Sequence, residues 1–334
     1  METVCELFLE RERQTLSRYA FLTSETKGRE HPYVPCDMRT EFQRDRDRII
    51  HSQSFRRLMN KTQVFLAPVG DHYRTRLTHT LEVSQIARII ARALRLNEDL
   101  TEAAALGHDL GHTPFGHAGE EAMQSLYSPD FTHYKQSLRV VELLENEGRG
   151  LNLTWEVRDA IVNHTGKHMA STLEGVIVKF ADRIAYINHD IDDACRAGIL
   201  HTEDIPKELR AILGETHSKR INTMVNSIIE ASTDRPEIRM SEEIQQATDA
   251  LRSFLFASVY TNPEAKAEDG KAKGLLSALF AHFVKHPDQM PAFYYGRTAE
   301  ESVERCVCDF ISGMTDRYAI ETYKKLYVPK FWKT

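Results

Sequence analysis

The sequence predicts an all-α fold, and three observations carry that reading. Apolar residues recur at helical spacing over most of the chain. Stretches with the alternation of a strand are nearly absent. The long second half reads as successive amphipathic helices separated only by ordinary Gly, Pro and Asp loop signals.

Taken in order, residues 1–40 combine prolines, turn residues and charges, which reads as a helix followed by an extended arm suited to an oligomer contact. From Asp45 to Leu58 the apolar Ile49, Ile50, Phe55 and Leu58 form a helical stripe. Gln63–Leu66 with the turn Pro68–Asp71 suggests a small hairpin arm. The strongest helix runs from Arg76 to Leu96, where Leu77, Leu81, Ile86, Ile90 and Leu94 recur near helical spacing and His79 falls in the first turn. Thr101–Leu110 is an alanine-rich helix capped by Asp99 or Thr101 and stopped by Gly111. Further helices are expected from near His117, over Lys135–Glu147, Thr154–His164 and Leu173–Ala197, then over 203–233, 241–260, 271–285 and 299–326. Thr298 with Glu301 has the capping-box pattern. The expected organisation is an arm over 1–40, a core over 41–200 and a C-terminal helical extension over 201–334 packed on it.

Bulk properties narrow the function. A chain of 334 residues, 41% of them hydrophobic, can bury a sizeable core. Apolar runs are interrupted by charge before membrane-spanning length, and the first residues carry acids where a signal peptide needs a basic start. Five scattered cysteines read as reduced thiols in a cytoplasmic protein, with Cys306 and Cys308 on a buried helix face. A net charge of −6 excludes a global basic field for nucleic acid. An anionic substrate must therefore meet a local cluster, such as Arg44–Arg48, Arg56 and Arg57, or Arg74 and Arg76; the first equally suits a solvated alternating-charge face.

The chemistry concentrates in Gly107–His112. Adjacent His108 and Asp109 point in different directions and rarely serve one core, whereas a divalent metal uses both. His79 upstream and Asp182 downstream complete a His, His-Asp, Asp set that leaves coordination positions open for water and substrate. Taken alone, His79 is more often a structural histidine; as a member of the set it reads as a ligand. Helical bundles build metal sites from facing helices in this way.

A second group lies close by in sequence: His112, His117, Glu120 and His133. His117 and Glu120 are spaced to share one side of a helix, where the carboxylate would fix the imidazole and let it move protons. The alternative for Glu120 is a first-turn acid serving the helix dipole. His133 and His164 would suit a second metal, but Lys135 and Lys167 beside them favour a substrate anion. Arg76, Lys135, Lys167 and Arg183 are the cations available to phosphate oxygens. Tyr186 and Asp190 follow Asp182 on one helix face and suit a deoxyribose and its 3′-hydroxyl; the plainer alternative is a core tyrosine and a surface acid. No Gly-rich phosphate loop is present.

These residues resemble a known family. Arg44–Leu58, Lys61–Phe65, Arg74–Val83, Gly107–Glu121, Asn163–Lys167, Asp182–Tyr186 and Gly313–Ala319 are similar to the bacterial dGTP triphosphohydrolase-like proteins of the HD superfamily, most specifically over roughly residues 40–200. The resemblance implies an HD-domain helical bundle with additional C-terminal helices. It makes His79, His108, Asp109 and Asp182 metal ligands, His117 and Glu120 the catalytic His-acid pair, and His133 another active-site histidine. It puts His112 against the phosphates, Gln63 and Arg76 against the sugar and α-phosphate, and Tyr186 and Asp190 against the sugar. It further implies one divalent metal per site (Mn or Mg first, then Fe, Co, Zn or Ni), a homo-oligomer (tetramer or hexamer), and regulation by dNTPs or single-stranded DNA.

The expected function is hydrolysis of a dNTP, dGTP-like, to deoxynucleoside and tripolyphosphate. Rival readings are an HD enzyme on another phosphoester (a 5′-nucleotidase, a phosphodiesterase or a guanosine tetraphosphate hydrolase) and a non-catalytic dNTP or single-stranded-DNA binder. A helical scaffold with adventitious metal leaves the clustering of His and Asp unexplained.

Overall fold

The computed structural model describes residues 2–63, 74–260 and 268–330, and among them it is helical throughout, with no strand. Thr3 and Glu6 form a capping box that starts α1 (Val4–Thr15). The arm after α1 folds back on the body. Glu156 accepts from Lys27 N at 2.8 Å, and the Arg29 guanidinium is fully buried between Glu41 and Asp45.

Thr40 caps α2 (Glu41–His51), and a short turn of helix, Gln53–Arg57, follows. The alternating charges of α2 are structural. Asp45 is buried against Arg29 and Thr154, Arg46 pairs with Asp99 and Glu102, and Arg48 donates to Leu151 O at 2.6 Å. Arg74 is likewise shared among Glu82, Asp192 and Asp193. Arg46 and Arg74 are paired with acids and Arg48 is bonded to a backbone carbonyl, so they are not a free phosphate cluster. The expected hairpin falls on residues 64–73, outside the described residues; its flanks are joined by an antiparallel bridge between Thr62 and Thr75.

Thr75 caps α3 (Arg76–Ala93). Next, α4 runs over Glu98–Gly107. Its cap is Asn97, which accepts from Leu100 N at 3.2 Å, and neither Asp99 nor Thr101. Asp99 is occupied by Gln43, and the Thr101 hydroxyl donates back to Asn97 O. The helix stops at Gly107, before His108, and Gly111 has a different role from the expected one. A Cβ there would stand 2.6 Å from Ser137 Cα and against the backbone of Gln136, so Gly111 permits close approach of α6.

The chain turns through Phe115, at φ +63°, into α5 (Gly116–Leu126). The expected Lys135–Glu147 helix is shorter: α6 spans His133–Arg139 and passes into a wide turn over Val140–Leu144. Left-handed Asn146 and Glu147 then break it, and the Glu145 carboxylate accepts from Gln53 N and Ser54 N. α7 is Trp155–Asn163 and α8 is Leu173–Arg196.

The single helix expected over 203–233 is split by Pro206 and Gly214 (φ +111°) into a short turn, α9 (Lys207–Leu213) and α10 (His217–Ser232). α11 (Glu242–Leu255) and α12 (Asp269–Lys285) follow. The helix expected over 299–326 is two, α13 (Val303–Ser312) and α14 (Asp316–Tyr327), separated at Gly313. The Thr298–Glu301 box does not form. Ser302 caps α13, Glu301 pairs with Arg139 and Arg297, and the Thr298 hydroxyl donates to Tyr295 O.

Three apolar clusters hold the body together. One joins α3 and α8 to α10 and α11, a second joins α2, α4 and α7, and a third packs α5 against α12, α13 and α14. Cys306 and Cys308 are buried in the third. The C-terminal helices thus supply core to both ends of the 41–200 segment. No described helix is long and apolar enough to cross a membrane.

Candidate metal centre and active site

Three elements bring the four proposed ligands together. His79 lies in the first turn of α3, His108 and Asp109 follow the end of α4, and Asp182 lies within α8. His79 Nε2 is 3.1 Å from Asp182 Oδ1, and His108 Nε2 is 3.6 Å from Asp109 Oδ2 and 3.8 Å from Asp182 Oδ1. The 2.7 Å bond from His108 Nδ1 to Ala105 O fixes the tautomer and leaves Nε2 bare. That nitrogen is buried without a hydrogen-bond partner, facing two carboxylates. A buried bare imidazole nitrogen among carboxylates is costly unless a cation fills the space. Two imidazoles and two carboxylates fit a borderline or hard divalent metal.

Charge at the centre agrees. Burial works to raise Asp109, but His108 and the Arg76 guanidinium outweigh it and hold the carboxyl well below the usual range. Asp182 is lowered to about 2: burial opposes, and the bond from His79 and the charge of His108 prevail. Arg76, itself buried, donates to Asp109 Oδ2 at 2.6 Å and to Gln63 O at 3.2 Å. Gln63 therefore meets the site through its backbone carbonyl, and its side chain is buried.

Beside this centre stands a cluster of histidines. The rings of His112 and His133 stack at 4.8 Å, and His164 lies 4.9 Å from His108 and 5.4 Å from His133. His164 is driven down to about 3 by burial, helped by neighbouring imidazoles, so it is neutral and donates from Nδ1 to Ile161 O. The pairing expected for Glu120 is different. Its carboxylate accepts from His133 N at 2.8 Å and lies 3.1 Å from His133 Nδ1, while His117 Nδ1 is 4.0 Å away on a ring 71% exposed. The start of α6 comes within reach of α5, so Glu120 bonds His133 there and not His117 on the preceding turn of its own helix. Burial lowers His133, yet the bond to Glu120 more than offsets it and the net shift is upward. Burial first, then Arg76, pushes the stacked His112 well down. Two adjacent imidazoles shifted in opposite directions are suited to proton transfer.

Not every expected residue converges. Lys135 turns outward, donates to Asp130 O at 3.3 Å and lines a groove of about 610 Å³ with Arg139 and Arg305. Arg183 is rotated off the Asp182 face by one residue of helix and pairs with Asp249 at 3.4 Å. Lys167 is exposed on the loop before α8. Tyr186 is partly buried against the α3–α8 core, and Asp190 is buried on the same face, not a surface acid.

Sequence reasoning missed two groups. His189, buried and 2.9 Å from Glu82, sets its ring edge-on to His79 at 5.7 Å. Lys61 and Asp316 bind the loop between His112 and Phe115. Lys61 and Asp316 stand in stretches that carry the family resemblance and His189 lies just beyond one, but nothing in their local spacing signals a partner so distant in sequence.

The HD domain family matches residues 76–187, and the phosphohydrolase-associated domain family matches residues 238–325. A deoxyguanosinetriphosphate triphosphohydrolase-like protein of Caldanaerobacter subterraneus is 57% identical over 98% of this chain and 97% of its own length. Proteins of the same description from Desulfatibacillum aliphaticivorans and Clostridium perfringens are 47% and 48% identical, each over at least 96% of both chains. In fold, the chain is similar to a crystallised phosphohydrolase of Bacteroides thetaiotaomicron, with a TM-score of 0.52 and 18% identity over 84% of this chain and 67% of that one. On these likenesses, the chain belongs to the deoxyguanosinetriphosphate triphosphohydrolase-like family of HD-domain phosphohydrolases.

Proposed function

We propose that this protein hydrolyses a deoxynucleoside triphosphate, dGTP first among them, to the deoxynucleoside and tripolyphosphate. The observation that carries the reading is the bare, buried Nε2 of His108 between Asp109 and Asp182, with Arg76 on one side and the stacked His112 and His133 on the other. The names of the relatives supply the substrate class. His79, His108, Asp109 and Asp182 would hold one divalent cation, Mn or Mg first, which when bound polarises phosphate oxygens and lowers the pKa of water.

The chain's own groups do the rest. Arg76 offsets charge at the α-phosphate, and His164 and His112 meet the triphosphate as neutral imidazoles. Glu120 holds His133 in one orientation and favours its protonated form, so His133 delivers a proton to the leaving 5′-oxygen. His117, at the open end of the group, accepts the proton of the attacking water. Tyr186, Asp190 and Gln63 face the sugar, where a 2′-hydroxyl would clash or lose water. Lys135, Lys167 and Arg183 are left with outer charge at most. The same reading carries a cytoplasmic homo-oligomer, tetramer or hexamer, under dNTP or single-stranded-DNA control.

The test is incubation of the purified protein with each dNTP across Mg, Mn, Co and Zn, with products separated by chromatography. Tripolyphosphate with deoxynucleoside supports the proposal. Orthophosphate or pyrophosphate assigns the same centre to another phosphoester, and tight dNTP binding without product makes the protein a sensor.

A further inference from the structure

Two charged side chains outside the site connect its loop to the C-terminal helices. Lys61 is 2% exposed, and its ammonium donates to His112 O and, at 2.9 Å, to Ser312 O at the end of α13. Asp316, the first residue of α14, accepts from Phe115 N at 2.9 Å with one oxygen and from Thr62 N, also at 2.9 Å, and the Thr62 hydroxyl with the other. Lys61 O in turn accepts from Arg76 N at 3.1 Å. The strap Lys61–Gln63 therefore lies between the metal-side Arg76, the His112–Phe115 loop and the α13–α14 corner.

The loop needs such a hold. Phe115 sits at φ +63°, a conformation a bulky residue keeps only when its surroundings impose it. Its ring is buried in the α12–α14 cluster, while His112 and His117 lie on either side of it in the chain. The four proposed metal ligands stand on α3 and α8 or directly after α4, and the side-chain bonds of Lys61 and Asp316 go to none of them. A buried ammonium is costly, and here it is tied to two carbonyls of segments far apart in sequence.

We infer that Lys61 and Asp316 are positioning residues, through which the C-terminal helices set the placement of His112 against His133 without touching metal or nucleotide. The inference deepens the proposed dNTP reading and uses the same site.

The experiment takes the full chain as wild type, Lys61→Met, Asp316→Ala and the double variant. It measures Mn²⁺ binding by calorimetry, kcat and KM on dGTP per Mn-binding site, and the imidazole C–H resonances of the Mg²⁺-loaded protein. The inference expects Mn²⁺ stoichiometry and affinity unchanged, KM little changed, and kcat down roughly 10²-fold in each single variant, as for a displaced catalytic group. The double variant should lose no more than the worse single one, since both act on one loop. The His112 and His133 resonances should move while that of His201, at the start of a remote turn, stays. Wild-type kcat in Lys61→Met, or turnover falling only in step with Mn-binding sites, overturns it. Should the wild type hydrolyse no dNTP, the proposed function fails. The resonances alone then decide the inference: a moved His112 upholds it, and an unmoved one refutes it.

Discussion

Gly111→Ala tests whether the distance between the metal loop and α6 sets the chemistry. The new methyl would stand 2.1 Å from Ser137 N, 2.2 Å from Gln136 C and 2.6 Å from Ser137 Cα. Carbon atoms need about 3.5–4 Å, so α6 must retreat by at least about 1 Å. Gly111 N also donates to Ser137 Oγ at 2.9 Å, and that bond is stretched or lost. His133 opens α6, so the retreat carries it away from the stacked His112. Overpacking of this kind costs about 1–3 kcal/mol of stability. A displacement near 1 Å costs roughly 10²-fold in turnover. The control is Gly274→Ala on the exposed face of α12, where a Cβ meets nothing within 4 Å and a helix-interior glycine is replaced, for a gain of about 0.5–1 kcal/mol. Thermal unfolding and kcat per Mn-binding site are measured for both. Gly111→Ala with wild-type kcat, or with loss explained wholly by lost metal sites, would refute the reasoning.

Removing a ligand and removing a proton carrier should separate cleanly. Asp109→Ala loses Mn²⁺ binding by calorimetry and activity together. His117→Ala keeps metal and folding while turnover falls roughly 10²–10⁴-fold, the range of a general acid–base group, and full activity there would remove the assigned role. Glu120→Gln removes the charge that holds His133 up, so the His133 titration, followed by its ring resonances, should move downward; no movement would show that Glu120 does not orient it. Glu174 is raised to about 7 by burial, which outweighs the bonds from Asn97 N and Phe21 N. Its folded pKa lies above the unfolded one, so the native state binds the proton more tightly and stability falls as pH rises from about 4.5 to about 7. Glu174→Gln should flatten that fall, gaining roughly 3 kcal/mol at pH 8 relative to pH 4 in denaturant unfolding. Parallel pH profiles would contradict it.

The clustering of the four candidate ligands was legible because each belongs to a residue pair or helix position with few other uses. His108-Asp109 is unusual in any core, and His79 and Asp182 fall on strongly periodic helices whose faces can be read. Helix existence was legible for the same reason, while helix ends were not. Asn97 displaced Asp99 as a cap because Gln43, distant in sequence, had taken the Asp99 carboxylate. The Glu120–His133 contact was hidden because local spacing offered His117 first, and the approach of α6 to α5 is a tertiary fact. Lys135 and Arg183 look like phosphate ligands by charge and neighbourhood. A single residue of helical rotation, or a nearby backbone carbonyl, was enough to turn them away. Lys61 and Asp316 join segments some 250 residues apart, beyond any periodicity.

The central claim is met most directly by anomalous diffraction at the manganese edge from crystals grown with Mn²⁺ and a non-hydrolysable dGTP analogue. The account expects one manganese peak touching His79, His108, Asp109 and Asp182, with the analogue's α-phosphate beside it and Arg76 in reach. Manganese bound elsewhere, or a nucleotide lodged away from those four side chains, would contradict it.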